Sequence, residues 1–271
     1  MRPFARRCAP LKVLTGAFLL GFIAQVGLGQ SPTSAPAAPR DPQAVSAVQN
    51  CIVAMGGVSA IAAVQNSVTQ GTMQAVQQDW FSNGNFTWQT SGAEFSYDNP
   101  TASGRSIIVS GFGKPQASQD GTVSNVYLHV AEAMYPHHLP AVVLLQALQN
   151  TSYSMHFVAN ETLNGEAVVH IQTVLTTDEV TVEVTPEDWY FDASSFMPVQ
   201  VVYLMPFDGD PRKSITGIEQ YSNYQTVSGV QVPFQLVISV AGQLGGTAQI
   251  QSVQFNTNPS QSVFSSPGGG S

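Results

Sequence analysis

The chain has 271 residues, of which 43% are hydrophobic, 9% aromatic and only 10% charged. That composition excludes a disordered polymer, a collagen-like repeat and a highly charged coiled coil. Charged side chains usually make up about a quarter of a soluble domain, so this surface must be covered mainly by Gln, Asn, Ser and Thr, as in an exported β-rich protein.

The N-terminus reads as an export signal. Arg2, Arg6, Arg7 and Lys12 form a basic region, Val13 to Leu28 is an uncharged apolar run, and Gly27-Leu28-Gly29 places small residues around a cleavage site, so residues 1–29 are expected to be a secretory signal peptide. The alternative is an uncleaved anchor, since the run is near the lower limit of a bilayer span. Without this segment five basic residues face seventeen acidic ones, a net of −12. Arg40, Arg105, Lys114, Arg212 and Lys213 are too few and scattered for a phosphate-binding surface, so nucleic acid is excluded as a partner, and an anionic membrane is disfavoured.

Residues 30–41, beginning Gln30-Ser31-Pro32 and rich in Pro and Ala, are expected to be a disordered tether. Cys8 leaves with the signal, so Cys51 stands alone and forms no intrachain disulfide. Its apolar neighbours Val48 and Ile52 make it a small buried hydrophobe rather than a reactive thiol.

Asp41-Pro42 supplies an N-cap and a first-turn proline, and Val45, Val48, Ile52 and Met55 recur at helical spacing. Gly56-Gly57 stops this helix, and a short helical turn over 59–64 follows. From Val68 the period changes to two. Phe86, Trp88 and Thr90, then Phe95 and Tyr97, then Val180, Val182 and Val184, then Val199, Val201 and Tyr203 each read as one face of a strand. The clearest strand is Val230 to Val240, with six alternate apolar residues and Gln231, Gln235 and Ser239 opposite. Pro233 lies inside it, which predicts an edge strand or a bulge there. Hairpin turns are expected at Asn83-Gly84, Asn164-Gly165, Ser228-Gly229 and Gly245-Gly246. Leu139 to Leu148, after Pro136-His137-His138, reads as a helix with a strongly apolar face inserted between strands. Helix, strands, helix and more strands, without regular βα alternation, indicate an α+β class.

Gly-x-Ser-x-Gly, P-loop, dinucleotide and His-Glu-x-x-His patterns do not occur in the sequence. The densest chemical cluster is His129, Glu132, His137 and His138, a candidate zinc set if the turn at Pro136 folds back; the alternative is that His129 lies along a strand and the His pair caps the following helix. His156 and His170 read as lone strand residues. Asp178-Glu179 and Glu187-Asp188 read as charges at strand ends, and Asp208-Gly209-Asp210 as an acidic hairpin turn lacking the later ligands of a calcium loop. Trp80, Phe81, Phe86 and Trp88 suit either a sugar-stacking surface or an apolar lining, and the lining fits the alternation better.

Several segments together resemble the LolA-like superfamily of periplasmic outer-membrane lipoprotein carriers. They are the helix ending Met55-Gly56-Gly57, Trp189-Tyr190-Phe191-Asp192 followed by Met197-Pro198-Val199, Tyr221-Ser222-Asn223-Tyr224 running to Gly229-Val230-Gln231-Val232-Pro233-Phe234, and Val253-Gln254-Phe255-Asn256 running to Val263-Phe264-Ser265-Ser266-Pro267. The resemblance covers residues 42–267, expected to be a single domain with a flexible tail at 268–271. It implies a half-barrel of about ten or eleven antiparallel strands curled around one or two helices, with an apolar cavity for acyl chains. No basic residue here matches a carrier's functional arginine. The expectation is an exported, non-enzymatic, monomeric protein of the periplasm or outside the cell that needs no cofactor. It binds a lipid or the acyl chain of an acylated protein through Trp88, Leu144, Phe234, Leu236 and Ile238. The alternatives are an envelope module that engages another protein, with its cavity filled by its own helix, and a metal-dependent hydrolase built on the His cluster.

Overall fold

The computed structural model describes residues 37–77, 81–101, 104–110, 115–119, 121–126, 136–207 and 210–265. The expected signal peptide, most of the tether, the tail, and also Trp80, His129 and Glu132 lie outside them.

Helix α1 spans Pro42–Ala54, with Asp41 as N-cap accepting from the Gln43 N–H and Pro42 in the first turn. Its buried face is Ala44, Ala47, Val48, Cys51 and Ile52, continued by Met55. Helix α2, Gly57–Ala62, follows through Gly56, whose φ of +122° suits a residue without a side chain. A Cβ at Gly56 would also lie 2.1 Å from the Gly229 carbonyl oxygen, so this junction takes no larger residue.

Six strands come next: β1 Asn66–Ala75, β2 Gly84–Ser91, β3 Glu94–Thr101, β4 Gly104–Ser110, β5 Gln116–Gln119 and β6 Thr122–Asn125. Helix α3, Pro140–Gln149, precedes β7 Tyr153–Leu163 and β8 Glu166–Leu175, then short helix α4, Glu179–Val184. The chain continues with β9 Glu187–Asp192, β10 Pro198–Phe207, β11 Asp210–Val227, β12 Val230–Val240 and β13 Gln243–Phe255, and ends in α5, Ser262–Ser265. Within the described residues these strands form one open antiparallel sheet of thirteen, ordered β6-β5-β4-β3-β2-β1-β13-β12-β11-β10-β9-β8-β7. The expected count of ten or eleven falls short partly because β5 and β6 are a four-residue hairpin rich in Gln, Ser and Thr, with no apolar alternation to betray it.

The sheet curls. On a flat sheet β3 and β10 would be separated by six strand spacings, roughly 29 Å. Yet the adjacent residues His137 and His138 touch both: the His137 ring is 4.2 Å from that of Tyr203 on β10, and the His138 ring is 6.2 Å from that of Tyr97 on β3. Helices α1 and α3 pack on each other and on the concave side of the sheet, where Phe86, Trp88, Ile171, Trp189, Phe191, Leu236 and Leu144 form one core.

Four expectations change. Residues 180–184 are helical because Asp178 accepts from the N–H groups of Val180 and Thr181 and completes a capping box with Thr181, worth about 1 kcal/mol; the β-branched run then turns Val180 and Val182 outward. Strand β12 is central and carries no bulge at Pro233. Gln231, whose N–H points to the same side as Pro233's missing one, donates to the Met55 carbonyl. On that side β13 pairs only from Gln235 onward, so no ladder bond is lost. Gly245-Gly246 lies inside β13, the turn being at Ala241-Gly242. A Cβ on Gly246 would meet the Gln74 carbonyl oxygen at 2.8 Å, so the glycine serves close strand approach. Asn83-Gly84 opens β2, and the β2–β3 turn uses Gly92 at φ +59°.

Candidate ligand site

The six alternate residues Val230 to Val240 are all buried, as alternation predicts. Phe234, Leu236 and Ile238 share the concave face with Trp88, and Leu144 of α3 is fully buried in the same core. Phe86 and Trp88 stack at 4.0 Å inside the sheet, with the Trp88 indole donating to Asn99, so these rings are not a surface platform for sugars. Gly71 leaves room for this stack, since a Cβ there would fall 2.5 Å from the Phe86 ring.

A groove of about 400 Å³ runs between α2 and α3. Its apolar lining is Ile61, Ala62, Val64, Val142 and Leu145, and Gln146, Gln149 and Asn150 supply the polar part. The helix therefore uses two faces: Leu144 and Ala147 are buried in the core, and Val142, Leu145 and Gln149 line the groove. Arg40 holds the far end of α3 by donating to the carbonyls of Ala147 and Leu148 at 2.9 and 3.0 Å, which satisfies orphan acceptors and places a cation at the negative helix end. Residues 38–41 are pinned there as well, through backbone bonds to Thr151 and Met155.

At the N-terminal end of α3 the concave face turns polar. Alternation along β9 puts Glu187 on the side of Trp189 and Phe191, and along β11 it puts Glu219 on the side of Tyr221. Tyr203 lies beside Glu187 in one ladder and beside Gly217 in the next. A Cβ on Gly217 would lie 2.7 Å from Tyr203 Cζ, so that glycine makes the room in which the phenol reaches Glu219 Oε1 at 3.1 Å. Glu187 is buried with three partners: His137 Nε2 at 2.9 Å, the Thr173 hydroxyl at 3.2 Å and the Trp189 indole N–H at 2.9 Å. The Tyr221 hydroxyl donates to the His137 carbonyl at 3.0 Å.

These surroundings shift proton affinities. Burial pulls His137 down, but its bond to Glu187 and the charges of Glu187 and Glu219 outweigh burial, and the net shift is upward. Burial, aided by the charge of His137, pushes His138 down to about 3, so that ring is neutral. Burial raises Glu219 against the opposing effects of His137 and the Tyr203 bond, and burial together with Glu219 raises Tyr97. Three polar atoms of this region are sealed from solvent without a hydrogen-bond partner: Tyr97 Oη, His138 Nε2 and Glu219 Oε2.

The His pair therefore does not cap α3, whose N-cap is Leu139 without a side-chain bond. His137 belongs to Glu187, and His138 packs 4.8 Å from the Trp88 ring. The described residues contain no group of three or more His, Cys, Asp or Glu able to hold a metal. His170 is not alone either: it bonds Glu161 at 2.7 Å and Asp188 at 3.0 Å and stacks on Tyr190. Cys51 is fully buried, and burial pushes its thiol up. Glu187, Glu219, Tyr97 and Tyr203 were missed as site residues. A carboxylate in phase with Trp189 and Phe191 is the available signal, obscured because the valine alternation over 180–184 points to a strand there and makes Glu187 its end.

No helix among the described residues is long and apolar enough to cross a membrane. No family model matches the chain, and no curated protein matches it. Solved structures similar to it include a LolA superfamily protein from Nitrosomonas europaea, 12% identical with a TM-score of 0.49 over 80% of this chain and 94% of that one. Another is a DUF1329 family protein from Desulfovibrio piger, 11% identical with a TM-score of 0.48 over 82% of this chain and 97% of that one.

Proposed function

We propose that this chain is an exported, non-enzymatic protein that binds an apolar ligand, a lipid or the acyl chain of a lipoconjugate. The groove between α2 and α3 is the observation that carries this reading. Its volume of about 400 Å³ lies within the roughly 300–1,000 Å³ of small-molecule sites, and an apolar lining with a few polar groups is the usual make-up of such sites. The motifs that resemble lipoprotein carriers agree with it. Ala62 is an exposed residue of the lining, so Ala62→Trp should fill the groove and lower affinity for a fluorescent fatty-acid probe about tenfold or more, with an unchanged melting temperature. Delipidated wild-type protein that binds no such probe would sink the reading.

A second reading, an envelope module that engages another protein, draws on a different observation. Leu144 and Leu236 are fully buried between α3 and the sheet, so the protein's own helix fills that part of the concavity. Under this reading Leu236→Trp overpacks a solid core and costs roughly 1–3 kcal/mol, with no probe binding to lose. The hydrolase alternative needs His137 and His138 as ligands, and the Glu187 bond and the Trp88 packing give both residues other roles.

A further inference from the structure

We propose that Tyr97, His138 and Glu219 form a head-group subsite for an uncharged, hydroxyl-bearing amphiphile, an inference that rests on the ligand-binding reading above. Buried polar atoms in folded proteins are almost always hydrogen-bonded, and an unpartnered one calls for an explanation. Here three unpartnered atoms come from three separate elements: β3, the turn before α3, and β11. They lie in one region, since the His138 ring is edge-on to Tyr97 at 6.2 Å, and Glu219 bonds Tyr203, whose ring is 4.2 Å from that of His137, the neighbour of His138. Tyr97 is 8% and His138 4% exposed.

The chemistry of the three atoms selects the ligand. A phenol offers a donor, a carboxyl oxygen an acceptor, and a neutral imidazole nitrogen either one, which together match the donor and acceptor of an alcohol. An anionic head would bring a further negative charge beside the carboxyl groups of Glu187 and Glu219, and burying such a charge without a partner is costly. Arg40 is engaged at the opposite end of α3, about 15 Å away along a ten-residue helix. The placement suits an amphiphile. The groove runs along α3 from Asn150 to Val142, and His138 lies in the turn that leads into the same helix. Because the three atoms have no exposed surface, binding there requires the turn at residues 136–139 to move aside.

The test uses the mature chain, a fluorescent fatty-acid probe, and two competitors of equal chain length, 1-monopalmitoylglycerol and palmitate. Wild-type protein should prefer the monoacylglycerol by about tenfold. Tyr97→Phe removes one oxygen from a position with no partner, so it should fold normally and lose most of that preference while keeping its palmitate affinity. His138→Leu should behave likewise, and Tyr97→Phe suffices if that second variant folds poorly. Equal competition by the two lipids in wild-type protein, or a preference retained in Tyr97→Phe, would overturn the inference and leave the carrier reading standing, with the three atoms served by ordered water only. Binding of neither lipid nor probe would overturn both.

Discussion

His137 Nε2 and Glu187 Oε1 lie 2.9 Å apart, fifty residues distant in sequence and both almost wholly buried. The contact ties the turn before α3 to β9 and so fixes where the helix enters the concavity. Removing one partner of a buried pair leaves an uncompensated charge and typically costs 3–5 kcal/mol, on the order of a third of a domain's stability. Glu187→Ala should therefore lower the urea midpoint strongly. It should cost more than Thr173→Ala, which removes only one of the three bonds to the carboxylate.

Gly217→Ala should be costly for a steric reason. The added methyl would meet Tyr203 Cζ at 2.7 Å and Cε2 at 2.8 Å, forcing the ring aside and breaking its bond to Glu219. A loss of roughly 1–3 kcal/mol is expected from such overpacking. In a double-mutant cycle Tyr203→Leu should recover part of it, because the ring that clashes is gone; strictly additive losses would contradict the contact.

The two faces of α3 predict opposite sensitivities. Leu144→Asp sets an unpaired charge in the core and should cost several kcal/mol, whereas Gln149→Asp at an exposed position should change stability by only a few tenths. Equal melting temperatures for the two variants would contradict the orientation of the helix.

The pH dependence of stability should carry a His138 signature. Its folded value is pushed down to about 3 from an ordinary 6.5, so the stability it contributes is complete above 6.5 and is lost as pH falls toward 3, with a slope of at most about 1.4 kcal/mol per pH unit. His137 is raised; below 6.5 it is protonated in both states and adds no slope, and above 6.5 its contribution is lost as pH rises through its folded value. Glu219 is also raised and favours the folded state at acid pH, so the total curve mixes signs. The difference between wild type and His138→Leu isolates the histidine: the variant should gain relative stability steadily from pH 6.5 to 4. A constant difference would mean that His138 is protonated in the fold or exposed.

Periodicity and local chemistry alone determined much of this protein. The Asp41-Pro42 start of α1, the apolar face of α3, the six-residue row of β12 and the turns at Asn164-Gly165 and Ser228-Gly229 were all legible, because capping, side-chain alternation and positive-φ pairs act over a few residues. Where two local signals competed, as in the valine run after Asp178, the reading failed: a cap of three residues outweighed the β preference of its neighbours. The polar cluster was beyond such reasoning for a different cause. His137 meets Glu187 on β9 while its neighbour His138 meets Tyr97 on β3 only because the sheet of the described residues curls until its distant strands approach each other. Whether a carboxylate in an apolar row ends a strand in water or lies sealed against a histidine is decided by that curvature, which is a property of the assembled sheet and of no segment within it.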